Sequence, residues 1–237
     1  MKKRRCLIYA YYDAKGIVRD STIKILNEFN RIVEYIFFVS NSEINNLNEI
    51  RPFTNKIIER ENEGYDAGAY NEVLQNETFR NILHDMDEII FCNDSFWGPF
   101  IPLEVLFSEM ESRGADFWGL SYSGKNFVHH IQSYFIVFEK KIIKSGLLHE
   151  YFKYNISGKQ LSYRDVCLKY EIGLSDFLLS KGFTCDAYVY GIKYDPYTNP
   201  FGSIKYDNLP ILKKKAASCE LINRKQMEST LGLIQRM

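Results

Sequence analysis

Residues 56–100 constrain the fold more than any other part of the chain. They read as an apolar run that ends in a polar cluster, a helical pattern over 67–74, and a second apolar run that stops at Asn93-Asp94-Ser95. Strands that alternate with helical patterns predict a parallel sheet flanked by helices. Ligands bind such sheets outside the carboxyl ends of the strands, so the polar clusters mark the expected site.

The alternation continues on both sides of this stretch. Asp20 or Ser21 is expected to cap the first helix, and Pro52 to end an irregular connection over 44–50. From Tyr194 onward the pattern predicts no clear element. The predicted strands are 6–12, 33–40, 55–59, 89–92, 116–120, 131–138 and 184–190, and the later helices are 103–113, 140–154 with a break near Gly146, and 170–181.

The composition narrows the class of protein. A chain of 237 residues is long enough for one sizeable domain and short for two, so we expect 1–237 to form one domain. A net charge of +0 argues against a nucleic-acid partner. The 5 cysteines form no CxxC pair, which fits reduced thiols in the cytoplasm. No apolar run is long enough for a signal peptide or a membrane span.

Several common motifs are missing from the sequence. It contains no G-x-x-x-x-G-K-[ST] loop, no G-x-G-x-x-G after the first strand and no G-x-S-x-G elbow. These gaps argue against a P-loop NTPase, a dinucleotide-dependent oxidoreductase and an α/β-hydrolase.

Each polar residue that could carry chemistry has a structural alternative. Asp94 could ligate Mg²⁺ or Mn²⁺ beside a substrate diphosphate, or Asn93-Asp94-Ser95 could be an ordinary Asx turn. Asp66 could bind a ligand or cap the helix that follows it. Glu171, at the predicted start of the last helix, could be a general base or an acid favoured there by the helix dipole. His129 and His130 could be ligands or surface residues.

Taken together, four sequence words resemble the rhamnan synthesis protein F family, a relative of the inverting glycosyltransferases with the GT-A fold. The resemblance covers about residues 6–215 and includes the ending Leu209-Pro210-Ile211-Leu212-Lys213. The words are Asn62-Glu63-Gly64-Tyr65-Asp66-Ala67-Gly68-Ala69-Tyr70, Asn93-Asp94-Ser95-Phe96-Trp97-Gly98-Pro99, Asp116-Phe117-Trp118-Gly119 and His130-Ile131-Gln132-Ser133-Tyr134-Phe135.

The resemblance implies a GT-A-like, Rossmann-type mixed and mostly parallel sheet. It implies a donor half over about 1–100 and an acceptor half over about 101–237. Glu171 would be the catalytic base, and Asp94 would stand at the metal and diphosphate motif. The resemblance places Tyr11, Tyr12, Asn41, Asn62, Asp66, Asn93, Asp94 and Ser95 on the donor side, and Trp97, Trp118, His130 and Gln132 on the acceptor side.

The implied substrates are a nucleoside-diphosphate sugar, with dTDP-rhamnose suggested by the family's name, and an oligosaccharide or lipid-linked glycan. Asn41 replaces a usual carboxylate, and the metal motif keeps one clear acid, Asp94. A non-catalytic nucleotide-sugar or glycan-binding module therefore stays open beside the enzyme, as does a nucleotidyltransferase of the same fold type. The basic segments Lys2–Arg5 and Lys213–Lys215 could touch the inner face of a membrane or be ordinary solvated surface.

Overall fold

The computed structural model describes residues 3–124 and 129–217 of the chain. Its strands are β1 Arg5–Tyr11, β2 Tyr35–Ser40, β3 Lys56–Glu59, β4 Glu88–Asn93, β5 Phe96–Trp97, β6 Phe117–Ser123, β7 His130–Ile131, β8 Phe135–Glu139, β9 Cys185–Val189 and β10 Leu212–Lys213. Its helices are α1 Asp20–Asn30, α2 Tyr65–Gln75, α3 Glu77–His84, α4 Leu103–Arg113, α5 Lys140–Ser145, α6 Leu147–Asn155, α7 Tyr163–Val166, α8 Gly173–Ser180, α9 Pro200–Asp207 and α10 Lys214–Ala217. Two 3₁₀ turns, Leu47–Glu49 and Arg51–Phe53, and a π-helical segment, Cys167–Ile172, complete them.

The central sheet has the order β3-β2-β1-β4-β8-β6-β7, and β9 also pairs with β6. The first four strands along the order are parallel, β8 is antiparallel to both of its neighbours, and β9 runs parallel to β6. A second, two-stranded sheet joins β5 to β10 in antiparallel pairing. The predicted mixed, mostly parallel sheet is confirmed.

Helices cover both faces of the central sheet. Along β1, alternate side chains enter opposite cores: Cys6, Ile8 and Ala10 pack with α2 and α6, while Leu7, Tyr9 and Tyr11 pack with α1 and α4. A strand buried on both faces reads as a continuous apolar run, which explains the unbroken pattern of β1 and β4. Because β1 and β4 are parallel neighbours, their carboxyl ends lie at the same edge of the sheet.

The structure corrects several predicted boundaries. No side chain caps α1, because Asp20 is already its first residue and Arg19 stands at the N-cap. Pro52 lies inside a 3₁₀ turn, where the first positions tolerate a residue without an N–H. The predicted strand 131–138 is divided between β7 and β8, and β6 extends through Ser123 into the predicted loop. The segment after Tyr194 contains α9 and β10.

The basic N-terminal segment lies among acids instead of forming an open cationic patch. Lys3 pairs with Glu88 and Glu139, and Arg4 pairs with Glu34. Arg5 is buried between Glu88 and Glu111, while Lys2 lies outside the described residues. The described helices include none that is long and apolar enough to cross a membrane.

Arg5→Met should destabilise the fold far more than Arg4→Met. Arg5 is one of two cations beside the fully buried Glu88, whereas the Arg4–Glu34 pair is exposed. Removing one partner of a buried ion pair costs about 3–5 kcal/mol, because it leaves a charge without compensation. Urea unfolding of both variants measures the difference. Equal, small losses would show that Glu88 does not need the Arg5 guanidinium.

Candidate functional site

A cavity of about 410 Å³ opens at the carboxyl end of β4. It brings together residues that lie up to 150 positions apart in the sequence. Its polar lining comprises Asp66, Asn93, Asp94, Ser95, Ser133, Glu171, Lys213, Lys214 and Lys215, and its aromatic lining comprises Tyr65, Tyr134, Tyr163, Tyr170 and Tyr197. The edge predicted from the polar clusters is therefore where the cavity lies.

The side chain of Asn93 connects the two polar clusters. Its Nδ2 donates to Asp66 Oδ2 at 2.5 Å, and its Oδ1 accepts from the backbone N and the Oγ of Ser95 at 3.1 and 2.5 Å. The second pair of bonds is an Asx turn, so that alternative is correct for Asn93. Asn93 thereby holds the neighbouring acid and hydroxyl in place at the cavity wall.

Asp66 does not cap α2, which corrects the helix-cap alternative. Gly64 stands at the N-cap, and Asp66 occupies the first turn with no side-chain cap bond. Gly68 lets the helix approach the preceding loop, because a Cβ there would collide with the Glu63 carbonyl oxygen. This close approach sets Asp66 in the cavity, where burial raises the pKa of its carboxyl.

Asp94 follows the buried strand directly, and its backbone N donates to the Ala10 carbonyl at 3.2 Å. Its Oδ2 lies 3.7 Å from Lys214 Nζ. Burial raises the pKa of the Asp94 carboxyl to about 6, against the opposing effect of Lys214.

Glu171 lies within a longer helical segment and does not open a helix. That segment begins at Tyr163, where Ser162 and Asp165 form a capping box, and Glu171 sits in its π-helical part. The helix-dipole argument for Glu171 is therefore wrong. Isolated π turns inside α-helices are frequent at functional sites, because they displace a side chain from the regular helical register.

Glu171 contacts the loop between β7 and β8 from the opposite wall. Its Oε1 accepts from the Ser133 backbone N at 3.4 Å and lies 3.6 Å from His130 Nε2. The Nδ1 of His130 is buried and has no hydrogen-bond partner among the described residues. This geometry links Glu171 to the predicted acceptor-side residue His130.

The lysines of the cavity lie on β10 and at the start of α10, where the chain comes back to the end of β4. The sequence patterns do not predict this contact. Strand β10 pairs with β5, so that Lys213 stands opposite Phe96. Gly98 permits this, because a Cβ there would lie 2.6 Å from the Pro210 carbonyl oxygen. The two sequence words that contain Gly98 and Pro210 are thus in direct contact.

Lys213 is buried at 2% exposure, which excludes both the membrane contact and the solvated surface predicted for it. Its Nζ donates to Ser95 Oγ at 2.6 Å and lies 4.1 Å and 4.9 Å from the ring centroids of Tyr134 and Tyr197. Burial lowers the pKa of the Lys213 ammonium to about 8. Lys214 faces the same cavity, and burial also lowers its pKa.

Four of the predicted donor-side residues lie outside the cavity lining. The Tyr11 hydroxyl donates to the Ile17 carbonyl from within a core, and Tyr12 is 48% exposed. Asn41 is committed to the backbone of Tyr65 and to Arg60, at 3.1 and 2.5 Å. Asn62 lines a separate shallow surface pocket. Tyr11 thus belongs to a buried strand and Asn41 anchors a loop, whereas Tyr12 and Asn62 are exposed.

Three of the four predicted acceptor-side residues also lie elsewhere. Trp118 is core, packed between Phe107 and Phe135. Trp97 lines a groove beside α1, and Gln132 accepts from Ser121 Oγ at 2.5 Å beside a small pocket. Only His130, through its proximity to Glu171, remains connected with the cavity.

The side chains that line the cavity do not fit the divalent cation that the resemblance implies. Asp94 faces an ammonium, and one oxygen of Asp66 accepts from Asn93. Across residues 3–124 and 129–217, no group of three or more His, Cys, Asp or Glu side chains is placed to hold a metal ion. Two lysines occupy the region where a cation would need carboxylate oxygens.

Comparison with known families gives a clear match. The model of the family described as rhamnan synthesis protein F matches residues 36–236. The chain belongs to the rhamnan synthesis protein F family. The resemblance inferred from the sequence words is thereby confirmed, and all residues that line the cavity fall inside the matched range.

A curated relative of this family member is the virulence protein VirA of Vibrio anguillarum (strain ATCC 68554 / 775). It is 30% identical over 131 residues, which is 54% of this chain and 40% of the relative. The chain thus spans about 40% of the length of the curated relative it matches.

Two solved structures show the same fold. The 4-diphosphocytidyl-2C-methyl-D-erythritol synthase of Anaerococcus prevotii DSM 20548 has a TM-score of 0.52 at 10% identity, with 100% of each chain covered. The glycosyltransferase GlyE of Streptococcus pneumoniae TIGR4 has a TM-score of 0.51 at 12% identity, covering 100% of this chain and 63% of that chain. These likenesses establish the fold alone.

Lys213→Met should raise the free energy of unfolding at pH 7 by about 1–3 kcal/mol, since each pKa unit is worth about 1.4 kcal/mol. The pKa of Lys213 falls from 10.5 to about 8 because the folded state buries its charge. That penalty is fully present below pH 8 and fades toward pH 10.5, as the unfolded state also loses its proton.

Chemical denaturation at pH 7 and pH 10 measures this effect. The stability advantage of Lys213→Met should shrink at the higher pH, whereas Lys56→Met, at an exposed position of β3, should change little at either pH. A Met variant that is less stable than the parent at pH 7 would mean that the buried ammonium stabilises the fold.

Proposed function

We propose that the chain is a glycosyltransferase that moves a sugar from a nucleoside-diphosphate donor to a hydroxyl group of a glycan. The observation that carries this proposal is the composition of the cavity. Glu171 stands on one wall, and Asp66, Asp94 and the lysines of the β10 return line the others. Such a cavity offers a base for an acceptor hydroxyl and positive charge for a departing diphosphate.

In the proposed reaction, Glu171 removes the proton from the acceptor hydroxyl. The acceptor oxygen forms a bond to the anomeric carbon as the bond to the diphosphate oxygen breaks, and the diphosphate leaves with the electron pair. In-line attack of this kind inverts the anomeric configuration. The Ser133 N–H donates to the Glu171 carboxylate at 3.4 Å and His130 Nε2 lies 3.6 Å from it, contacts that would orient this carboxylate toward an acceptor.

On the donor side, Asp66 is proposed to contact the sugar. Asp94 is proposed to orient the neighbouring Lys214. The bond from Asn93 leaves lone pairs of the Asp66 carboxylate available for a ligand hydroxyl. The donor site would use residues from both predicted halves of the chain, because Lys213 and Lys214 join the Asn93-Asp94-Ser95 segment.

The family's name supports rhamnose as the transferred sugar and dTDP-rhamnose as its donor, and a growing surface polysaccharide, as a free or lipid-linked glycan, as the acceptor. Cytoplasmic action is supported by Cys6, Cys92, Cys167 and Cys185, which are free thiols in the described part of the chain.

Two other functions are compatible with the fold. A nucleotidyltransferase is one, because the 4-diphosphocytidyl-2C-methyl-D-erythritol synthase has the same fold and the fold alone does not separate the two reactions. A non-catalytic nucleotide-sugar-binding module is favoured by the poor fit to a metal ion. The position of Glu171 favours transfer, because a binding module has no need of a carboxylate beside the acceptor.

Glu171→Gln should lower turnover about 10²–10⁴-fold, the usual contribution of a general base. The amide keeps the shape and the hydrogen bond from Ser133 but cannot take a proton. Donor binding, measured by calorimetry, should be preserved. Glu150→Gln on α6, an exposed position, is the matched control and should transfer sugar normally. Parental turnover in the Glu171 variant would remove Glu171 as the base.

Asp66→Asn should weaken donor binding about tenfold or more, since a hydrogen bond to a charged group contributes about 1.5–3 kcal/mol. The amide oxygen can still accept from Asn93, so the melting temperature should not fall. Titration with dTDP-rhamnose measures the affinity, and Asp85→Asn at an exposed site is the control. Unchanged affinity with a lower melting temperature would leave Asp66 a purely structural role.

A further inference from the structure

Three consecutive lysines, at the end of β10 and the start of α10, bring positive charge to the cavity. Lys213, Lys214 and Lys215 line it together with three carboxylates, Asp66, Asp94 and Glu171. Lysine ammonium groups are ordinary protein ligands for phosphate, which they bind as point charges.

Lys213 has bonding capacity that the described residues do not use. Its ammonium carries three N–H donors, of which one is directed to Ser95 Oγ at 2.6 Å. None of the carboxylates in the described part of the chain forms an ion pair with its Nζ. A buried polar group with unused donors is costly unless a ligand or water completes its bonds.

The rings of Tyr134 and Tyr197 hold this ammonium in place, at 4.1 and 4.9 Å from the two centroids. Aromatic faces attract a cation electrostatically but provide no oxygen or nitrogen acceptor for its N–H groups. The lysine is consequently held in a fixed position and still able to donate to an anion in the cavity.

Lys214 adds a second positive charge from the adjacent position. Its backbone N donates to the Ser95 carbonyl at 2.9 Å, and its Nζ lies 3.7 Å from Asp94 Oδ2. Asp94 is the one acid of the sequence motif that would otherwise hold a metal. Its carboxylate instead faces the Lys214 ammonium, and a divalent cation at Asp94 would have to displace that lysine.

We infer that Lys213 and Lys214 carry the positive charge that accompanies the donor diphosphate, in place of a divalent cation. The inference rests on the proposed glycosyl transfer and deepens it. As the bond between the anomeric carbon and the diphosphate oxygen breaks, the electron pair leaves on the diphosphate. Both lysines stay protonated and stabilise that charge through hydrogen bonds, so no proton passes from them to the product.

The test is binding of inorganic pyrophosphate, measured by calorimetry in EDTA and again with excess Mg²⁺ or Mn²⁺. The intact chain should bind pyrophosphate in EDTA. Lys213→Met and Lys214→Met should each weaken binding about 10- to 100-fold, the range expected for a lost charged hydrogen bond. Lys205→Met on α9, outside the cavity, should bind as the parent does.

Two outcomes would overturn the inference: pyrophosphate binding that requires the metal ion, or lysine variants that bind as tightly as the parent. Melting temperatures confirm that each variant is folded, and Lys214→Met tests the second positive charge independently. Transfer from dTDP-rhamnose, assayed in EDTA, separates this inference from the proposed function. Pyrophosphate binding without transfer would count against the transferase alone, whereas transfer that needs Mg²⁺ and survives both substitutions would count against the lysines alone.

Discussion

A short series of hydrogen bonds through Asn93 holds the cavity together. Lys213 donates to Ser95, the Ser95 hydroxyl donates to Asn93, and Asn93 donates to Asp66, at 2.6, 2.5 and 2.5 Å. All three bonds point the same way, from an ammonium to a carboxylate, so each polarises the next. The series joins the start of α2, the end of β4 and the late strand β10. Replacing Asn93 by an aspartate would place a second acceptor beside Asp66 and break the series at that bond.

The sequence predicted the sheet well because its central strands are buried on both faces. Runs such as Leu7–Ala10 and Ile89–Cys92 have to be apolar at every position, and such runs are visible without a structure. The polar residues at their carboxyl ends were likewise visible, which is why the edge that holds the cavity could be predicted. The apolar periodicity predicts that the helical segment around Glu171 begins at Tyr170, whereas the capping box of Ser162 and Asp165 starts it at Tyr163.

The cations of the site could not be found in the same way. Lys213 reaches Ser95 across 118 positions of sequence, and no periodicity encodes a contact of that separation. A lysine in a basic run reads as solvated surface, whereas here a two-residue strand buries it. Trp118 shows the opposite case: it belongs to one of the sequence words that carry the family resemblance, yet its side chain packs against Phe107 and Phe135 in the core. Membership of a motif does not separate a ligand contact from a core contact.

The antiparallel pairing of β5 with β10 sets which side chain of the return faces the cavity. Leu212 stands opposite Trp97 and Lys213 opposite Phe96, and neighbouring side chains of a strand point to opposite faces. A slip of one residue in this pairing would turn Leu212 toward Ser95 and bury the ammonium of Lys213 in the apolar layer. Gly98 guards against the slip, since only a residue without a side chain admits the Pro210 carbonyl at that point. A single glycine, which itself carries no charge, therefore helps to decide the sign of the charge on one wall of the cavity.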